Sequence, residues 1–150
     1  TLELGKISDT FDRTGTVTVT GKAFPDLNDF QKILATFEGE QEQITPAFSA
    51  VKVRGVRAYR LARKGIPVSL GKRKVRIFDL ELLEFSPPLA TLRLSVSSGT
   101  YVRSFVHELG EKLSCGALMN ELRRQSVGPF HLKDANIIDV VSEKDLRRVP

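Results

Sequence analysis

Arg103 is the residue whose type and setting most suggest chemistry. It follows Ser97-Ser98-Gly99-Thr100-Tyr101, where an alternating strand pattern gives way to a helical one. A cation in the first turn of a helix faces the positive end of the helix dipole, and a broken local rule of this kind marks functional or strained positions. At 100° per residue Arg103 flanks the apolar stripe of its helix rather than opposing it. Gly110, two turns along nearly the same line, leaves room for another backbone or a ligand to come close. An arginine half-buried at such an edge requires an anion, either a carboxylate or a phosphate. One of the chain's own acids would serve equally well, as a structural ion pair. Tyr101 lies two residues earlier, and if residues 100–101 are extended the two side chains leave on the same side. A phenol beside a guanidinium can orient or stack on a base; a core tyrosine with a satisfied hydroxyl is the plainer alternative.

The other polar candidates have bland readings of comparable weight. Arg123-Arg124 follow Leu122 at an expected helix end, where cations suit the dipole. Lys72, Arg73, Lys74 and Arg76 could track phosphates or simply solvate a strand face. Asp9 and Asp12 read as turn-forming residues of a polar loop. His107 and His131 lack metal-ligand spacing and read as structural, and Cys115 as a small buried residue. As the only cysteine it allows no internal disulfide and no cysteine metal cluster. There is no P-loop, GxGxxG, GxSxG or HExxH pattern.

These residues need a scaffold, and the hydrophobic pattern supplies one. TLEL and TVTVTG read as strands around a polar loop. Pro25-Asp26 opens a helix with Leu27, Phe30, Ile33, Leu34 and Phe37 on one face, stopped near Gly39. VKV-RG-VRAY suggests a small hairpin and RAYRLARKG a short helix closed by Gly65. Residues 66–85 read as a long strand, Pro87-Pro88 as a turn and LRLSV as the returning strand. Val102, Phe105, Val106, Leu109 and Leu113 form one helical stripe, broken at Gly116. A shorter helix is expected over Leu118, Met119 and Leu122, a last strand over VGPFHL, and a terminal turn capped by Ser142. The irregular mixture favours an α+β fold with a mixed, mostly antiparallel sheet flanked by helices. At 150 residues one domain is expected, and the excess of 23 Lys+Arg over 18 Asp+Glu, a charge of +5, attracts polyanions. No signal peptide and no apolar run of membrane length are present, which suits a cytoplasmic protein without a membrane partner.

Three separated segments resemble the TruB-type bacterial tRNA pseudouridine synthases. ISDTFDRTG resembles their T-D-T-x-D-x-x-G loop. ITPAFSAVKVRGVRAYRLARKGIPV resembles the P-P-x-Y-S-A-x-K-x-x-G-x-x-x-Y-x-x-A-R-x-G-x-x-V block, with Phe48 where the family often has tyrosine. SSGTYVRSFVHELGEKLSCGALMNELRRQSVGPF resembles the stretch with G-T-Y-I-R, D-L-G and L-R-R. The resemblance implies the pseudouridine-synthase fold and isomerisation of one T-loop uridine of tRNA, with no cofactor and no metal. It implies attack on the flipped nucleotide by an aspartate in G-x-L-D-P-x-A-x-G. By motif position Arg103 would pair with that aspartate, and Tyr101, Leu122, Arg123 and Arg124 would bind substrate. G-x-L-D-P does not occur in the chain, nor does the stacking tyrosine expected just before TLELG. Residues 1–150 are therefore expected to be a partial catalytic domain that begins mid-strand. Its partners would be the tRNA T arm and the N-terminal portion of the same enzyme, without which it would be inactive. The family's C-terminal RNA-binding extension is missing or begins after Pro150. A non-catalytic RNA-binding module with the same fold, or a subunit of a guide-RNA-dependent synthase, are the alternatives. The extended ITPAFSAVKVRG…ARKG block disfavours the second.

Overall fold

The computed structural model describes residues 1–135, apart from Arg54 and Ser69. The chain runs β1 (Leu2–Leu4), β2 (Lys6–Ser8), β3 (Val17–Val19), α1 (Leu27–Ala35), β4 (Gly39–Ile44), β5 (Lys52–Val53), β6 (Val56–Arg57) and α2 (Ala58–Ala62). It continues through β7 (Lys72–Ser86), β8 (Leu89–Val96), α3 (Val102–Lys112), β9 (Ala117–Met119), β10 (Ser126–Val127) and β11 (Phe130–His131) to a 3-10 turn at Leu132–Asp134. A five-stranded antiparallel sheet in the order β4-β7-β8-β1-β9 is the platform, with three two-stranded ribbons beside it. This is the α+β, mostly antiparallel arrangement that the sequence pattern implies.

The two longer helices form because their apolar residues fall on one face and find the sheet. Asp26 caps α1, its carboxylate accepting from the Asp29 N–H at 2.8 Å. Phe30 of α1 meets Phe85 of β7 at 4.8 Å between ring centres, and Phe37 meets Phe105 of α3 edge-on at 5.1 Å. Phe30 and Phe105 are fully buried, each worth about 1.5–3 kcal/mol of apolar transfer. Leu2, Leu4, Ile77 and Leu109 complete the centre of the core. Leu27, expected on the buried face of α1, is exposed. The helix stops at Ala35 with Thr36 as its cap, so Gly39 (φ +89°) opens β4 instead of closing the helix.

The 52–57 hairpin and the short helix after it are as expected, and Gly65 (φ +70°) closes that helix, its N–H donating to the Ala62 carbonyl at 2.9 Å. The long strand starts at Lys72 rather than residue 66 and turns back at Pro87-Pro88.

Two expected elements are replaced by others. Leu118 and Met119 lie in β9, not in a helix, and Leu122 lies beyond it with no helix to carry it. Three apolar residues in five do not distinguish the two periods. The open edge of β1 decides the matter, pairing Leu2 with Met119, Glu3 with Leu118 and Leu4 with Ala117. VGPFHL is likewise not one strand: Gly128 (φ +54°) and Pro129 fold it into the β10–β11 hairpin. The turn at Ser142 lies outside the described residues.

Gly110 is the contact point between α3 and β9. The Gly116 N–H donates to the Gly110 carbonyl at 3.0 Å. A Cβ built on Gly110 would stand 2.1 Å from the Ala117 nitrogen. The room expected beside Gly110 is therefore filled by the chain's own backbone.

Candidate functional site

The start of α3 is held by side chains on both flanks. Gly99 (φ +82°) turns the chain out of β8, and the Arg76 N–H donates to Ser97 Oγ at 2.9 Å. The Tyr101 N–H, unpaired by any helix at its first turn, donates to Oε1 of the buried Gln43 at 2.7 Å. In return Glu108 Oε1 accepts from the Ile44 N–H at 2.9 Å. Burial pushes the Glu108 carboxyl above its ordinary value, although that N–H and the lysines 112 and 72 act against it. Strand β4 and helix α3 are thus pinned together at two points about two helical turns apart.

Arg103 projects from this anchored turn onto the loop between β2 and β3. Its Nη1 lies 3.2 Å from Asp12 Oδ2, and its Nη2 donates to the Phe48 carbonyl. Both partners of the ion pair are mostly buried, at 19% and 13% side-chain exposure. Of the two outcomes left open for Arg103's anion, the folded chain contains the internal one: Asp12, 91 positions away. That carboxylate also neutralises the cation at the wrong end of the helix dipole. Asp12 Oδ1 accepts from Thr10 Oγ1 at 2.9 Å, from the Thr14 N–H at 3.0 Å, and from Thr14 Oγ1. Burial pushes the Asp12 carboxyl up, but the hydrogen bonds from Thr14, Thr10 and Arg103 together outweigh it. The group is held below its ordinary value of 3.8. Gly15 makes the tight loop possible, since a Cβ there would fall 2.1 Å from Asp9 Oδ1 and 2.4 Å from Thr10 Oγ1.

A carboxylate whose acidity is strengthened by folding stabilises the fold fully above its unfolded value. That contribution is lost as pH falls through the depressed folded value. Wild-type protein is therefore expected to be more stable than Asp12→Asn above pH 3.8, with the gap closing at lower pH. Thermal unfolding of both across an acid series checks this; a gap independent of pH would mean that Asp12 stabilises by shape alone.

The strap over Arg103 is fixed by backbone bonds from Tyr59 N to Ser49 O (3.0 Å) and Ala58 N to Val51 O (2.7 Å). Between strap, loop and helix opens a cleft of about 710 Å³ lined by Arg103, Thr10, Thr14, Phe48, Tyr59 and Arg63 among others. Its walls offer cations, hydroxyls and two aromatic rings, with Arg63 5.5 Å from the centre of the Tyr59 ring. Such a cleft suits a flat polar ring attached to a phosphodiester.

Of the candidates, Arg103 lies in this cleft. Tyr101 sits half-buried at the same helix start, with the Arg73 guanidinium 6.0 Å from its ring centre. Gly99 makes space for that guanidinium, which a Cβ would meet at 3.1 Å. Leu122, Arg123 and Arg124 lie apart on an exposed, irregular stretch, so the helix-dipole reading of the two arginines does not hold. Arg123 instead lines a second cleft with Gln125, His131 and Lys133. His131 is exposed, whereas His107 is half-buried and Cys115 fully so. Sequence reasoning missed Asp12 as Arg103's partner and missed Tyr59, Arg63 and Gln43. The Thr10-x-Asp12-x-Thr14 spacing was the one available signal, since flanking hydroxyls at i±2 can saturate a carboxylate. Among the described residues no group of His, Cys, Asp and Glu could hold a metal ion, and no helix is long and apolar enough to cross a membrane.

Residues 1–102 match the family described as TruB family pseudouridylate synthase (N terminal domain). Residues 103–149 match the tRNA pseudouridylate synthase B C-terminal domain. The chain belongs to the TruB family. It is 36% identical over 145 residues to tRNA pseudouridine synthase B of Clostridium acetobutylicum, covering 97% of this chain and 50% of that protein. It is 45% identical over 132 residues to the protein of the same name from Dehalococcoides mccartyi, covering 87% of this chain and 44% of that one. The chain thus spans about half the length of the curated relatives it matches. A solved structure of a Cbf5–Nop10–Gar1 complex contains a similar chain, with a TM-score of 0.57, 28% identity, and coverage of 87% of this chain and 30% of that chain. The junction between the two family matches falls in the first turn of α3, beside Arg103.

Proposed function

We propose that this chain carries the arginine side of a tRNA pseudouridine synthase active site and isomerises a T-loop uridine once the rest of the enzyme is present. The observation that carries the reading is the Arg103–Asp12 pair beside a cationic, aromatic cleft that Arg103 itself lines. A uridine must leave its stack before its glycosidic bond can be reached, and the exposed cations of β7 and α2 attract the phosphates on either side. In this reading Thr10, Thr14, Tyr59 and Arg63 meet the flipped nucleotide, while Tyr101, outside the lining of this cleft, is given to the base pocket by its position in the family's motif alone.

Asp12 itself makes a poor nucleophile. One of its oxygens already accepts three hydrogen bonds and the other faces Arg103. Its role is to hold the guanidinium. Arginine has five N–H donors; Asp12 and the Phe48 carbonyl engage two of its nitrogens. The remaining donors serve the nucleophilic aspartate, which by the family's motif sits in G-x-L-D-P, a sequence this chain does not contain. A guanidinium beside that aspartate keeps it ionised. Covalent attack, detachment of the base, rotation and reattachment through C5 then follow. Residues 1–150 act as part of a catalytic domain, with the N-terminal portion of the same enzyme and the tRNA T arm as partners.

C5 loses its hydrogen when it becomes the attachment carbon, so tritium release from C5-labelled tRNA reports turnover. The expected result is no release with this chain alone and release when the portion bearing G-x-L-D-P is added. Release by the chain alone would make one of its own aspartates the nucleophile. The likeness to a chain of the Cbf5–Nop10–Gar1 complex supports a second reading, a guide-dependent synthase. Turnover on tRNA by this chain completed with its N-terminal portion, with no guide RNA or other protein added, separates the two.

A further inference from the structure

Phe11 stands between Thr10 and Asp12 with φ +66°, a backbone conformation that side-chain-bearing residues adopt only when their surroundings impose it. Two sets of contacts impose it here. Along the backbone, Phe11 N–H donates to Ser8 O at 3.2 Å. The Met119 N–H donates to Phe11 O at 3.0 Å, and the Arg13 N–H to Met119 O at 3.1 Å. These bonds clip the turn to β9 on both sides of Asp12. From the side chain, the Phe11 ring lies flat on the His107 imidazole, with centres 3.9 Å apart and planes within 8°.

His107 is four residues beyond Arg103 on α3, one turn along the same face. The helix therefore touches the loop twice: Arg103 takes the Asp12 carboxylate, and His107 takes the ring of the preceding residue. The Nδ1 of His107 is buried and has no hydrogen-bond partner among the described residues. Burial also lowers its proton affinity, against a weak opposing pull from Glu111. The imidazole is thus present as a flat surface for Phe11, its Nδ1 unused among the described residues.

We infer that the Phe11–His107 stack is a positioning device for the Arg103 site: it presses the Asp12 turn onto α3 so that the carboxylate meets the guanidinium in one geometry. His107 and Phe11 are positioning residues, acting through Asp12 without touching the reacting base. The turnover arm of the test rests on the function proposed above; the titration arm does not.

The experiment compares His107→Ala, His107→Phe and Phe11→Leu in the complete protein, each with and without Asp12→Asn. His107→Ala and Phe11→Leu are expected to lower kcat about 10-fold, since small misplacements of a site group cost up to about 10²-fold. KM for tRNA should stay within about twofold, because neither ring lines the cleft. His107→Phe keeps a flat ring and should restore near wild-type kcat. In the Asp12→Asn background the stack variants should add no further loss, as residues acting through one partner are non-additive. The Asp12 carboxyl, followed by carbon NMR in the variants that retain it, should titrate closer to its ordinary 3.8 in His107→Ala and Phe11→Leu. It should titrate as in wild type in His107→Phe. Equal losses in His107→Phe and His107→Ala would overturn the inference by showing that the imidazole nitrogens matter. Losses additive with Asp12→Asn, or an Asp12 titration unmoved by both stack-breaking variants, would overturn it too. A wild-type enzyme that releases no tritium would refute the proposed function, and the titration would still decide the role of the stack.

Discussion

Arg103→Ala, made in the complete protein, is expected to lower pseudouridine formation by about 10³-fold while weakening tRNA binding by less than about 10-fold. The asymmetry follows from where the side chain sits. Arg103 and Asp12 are both mostly buried. Removing one partner of such a pair strands the other charge, at a cost of roughly 3–5 kcal/mol. Here the stranded charge is Asp12, and in the proposed mechanism the nucleophilic aspartate would lose its cation as well. The first effect lowers the stability of the Asp12 loop; the second falls on the chemical step. In the same proposal tRNA affinity is spread over many phosphate contacts from exposed lysines and arginines, each worth little alone. Arg103→Lys is the sharper variant. An ammonium keeps the charge but lacks the planar fork, so it cannot serve Asp12 and the Phe48 carbonyl together. A loss of about 10–10²-fold is expected from it. Single-turnover tritium release with saturating enzyme, set beside filter binding of the same tRNA, separates the two quantities. Equal losses in both would make Arg103 a binding residue and sink its catalytic assignment.

Gly110→Ala is expected to give the largest loss of stability of any conservative change in the chain, about 3 kcal/mol or more. In an ordinary helix interior this substitution is favourable by about 1 kcal/mol. Here the new methyl would stand 2.1 Å from the Ala117 nitrogen and 2.5 Å from the Gly116 carbonyl carbon. Neither is the end of a flexible side chain, so α3 and β9 must move apart. That breaks the Gly116-to-Gly110 hydrogen bond and loosens β9 from β1. Since β9 also holds the Asp12 turn through Met119, the damage should reach the site. For a chain of this size 3 kcal/mol corresponds to a fall in Tm of about 6–12 °C. Thermal unfolding of Gly110→Ala beside the wild type provides the measurement, with Gly21→Ala, which has open space but φ +68°, showing what backbone strain alone costs. A Tm unchanged in Gly110→Ala would mean that the α3–β9 contact is looser than described.

Much of this arrangement is legible in residue order. Helix α1 announces itself through Asp26 and an apolar stripe, and α3 through Phe105, Val106 and Leu109. The β7–β8 hairpin is marked by alternation on both sides of Pro87-Pro88. Arg103 stands out because a cation in a first turn contradicts the helix dipole, and that contradiction needs no structure to detect. The three TruB-like segments are visible in the same way, and residues 1–149 fall within the family matches.

What residue order by itself determined is therefore the local part: where the chain can be helical or extended, which faces are apolar, and that Arg103 requires an anion. The tertiary structure alone decided which anion answers it. Asp12 lies 91 positions away in a loop that reads as an ordinary turn. Strand β9 was hidden for the same reason. Three residues carry too little period to declare themselves, and they are extended because the β1 edge offers hydrogen bonds and Gly110 lets the backbone in. Leu122 lost its expected helix when β9 took the residues before it. Periodicity and capping act between residues within about one or two turns of each other. Ion pairs, strand edges and backbone-to-backbone approach join residues that only the folded chain brings together.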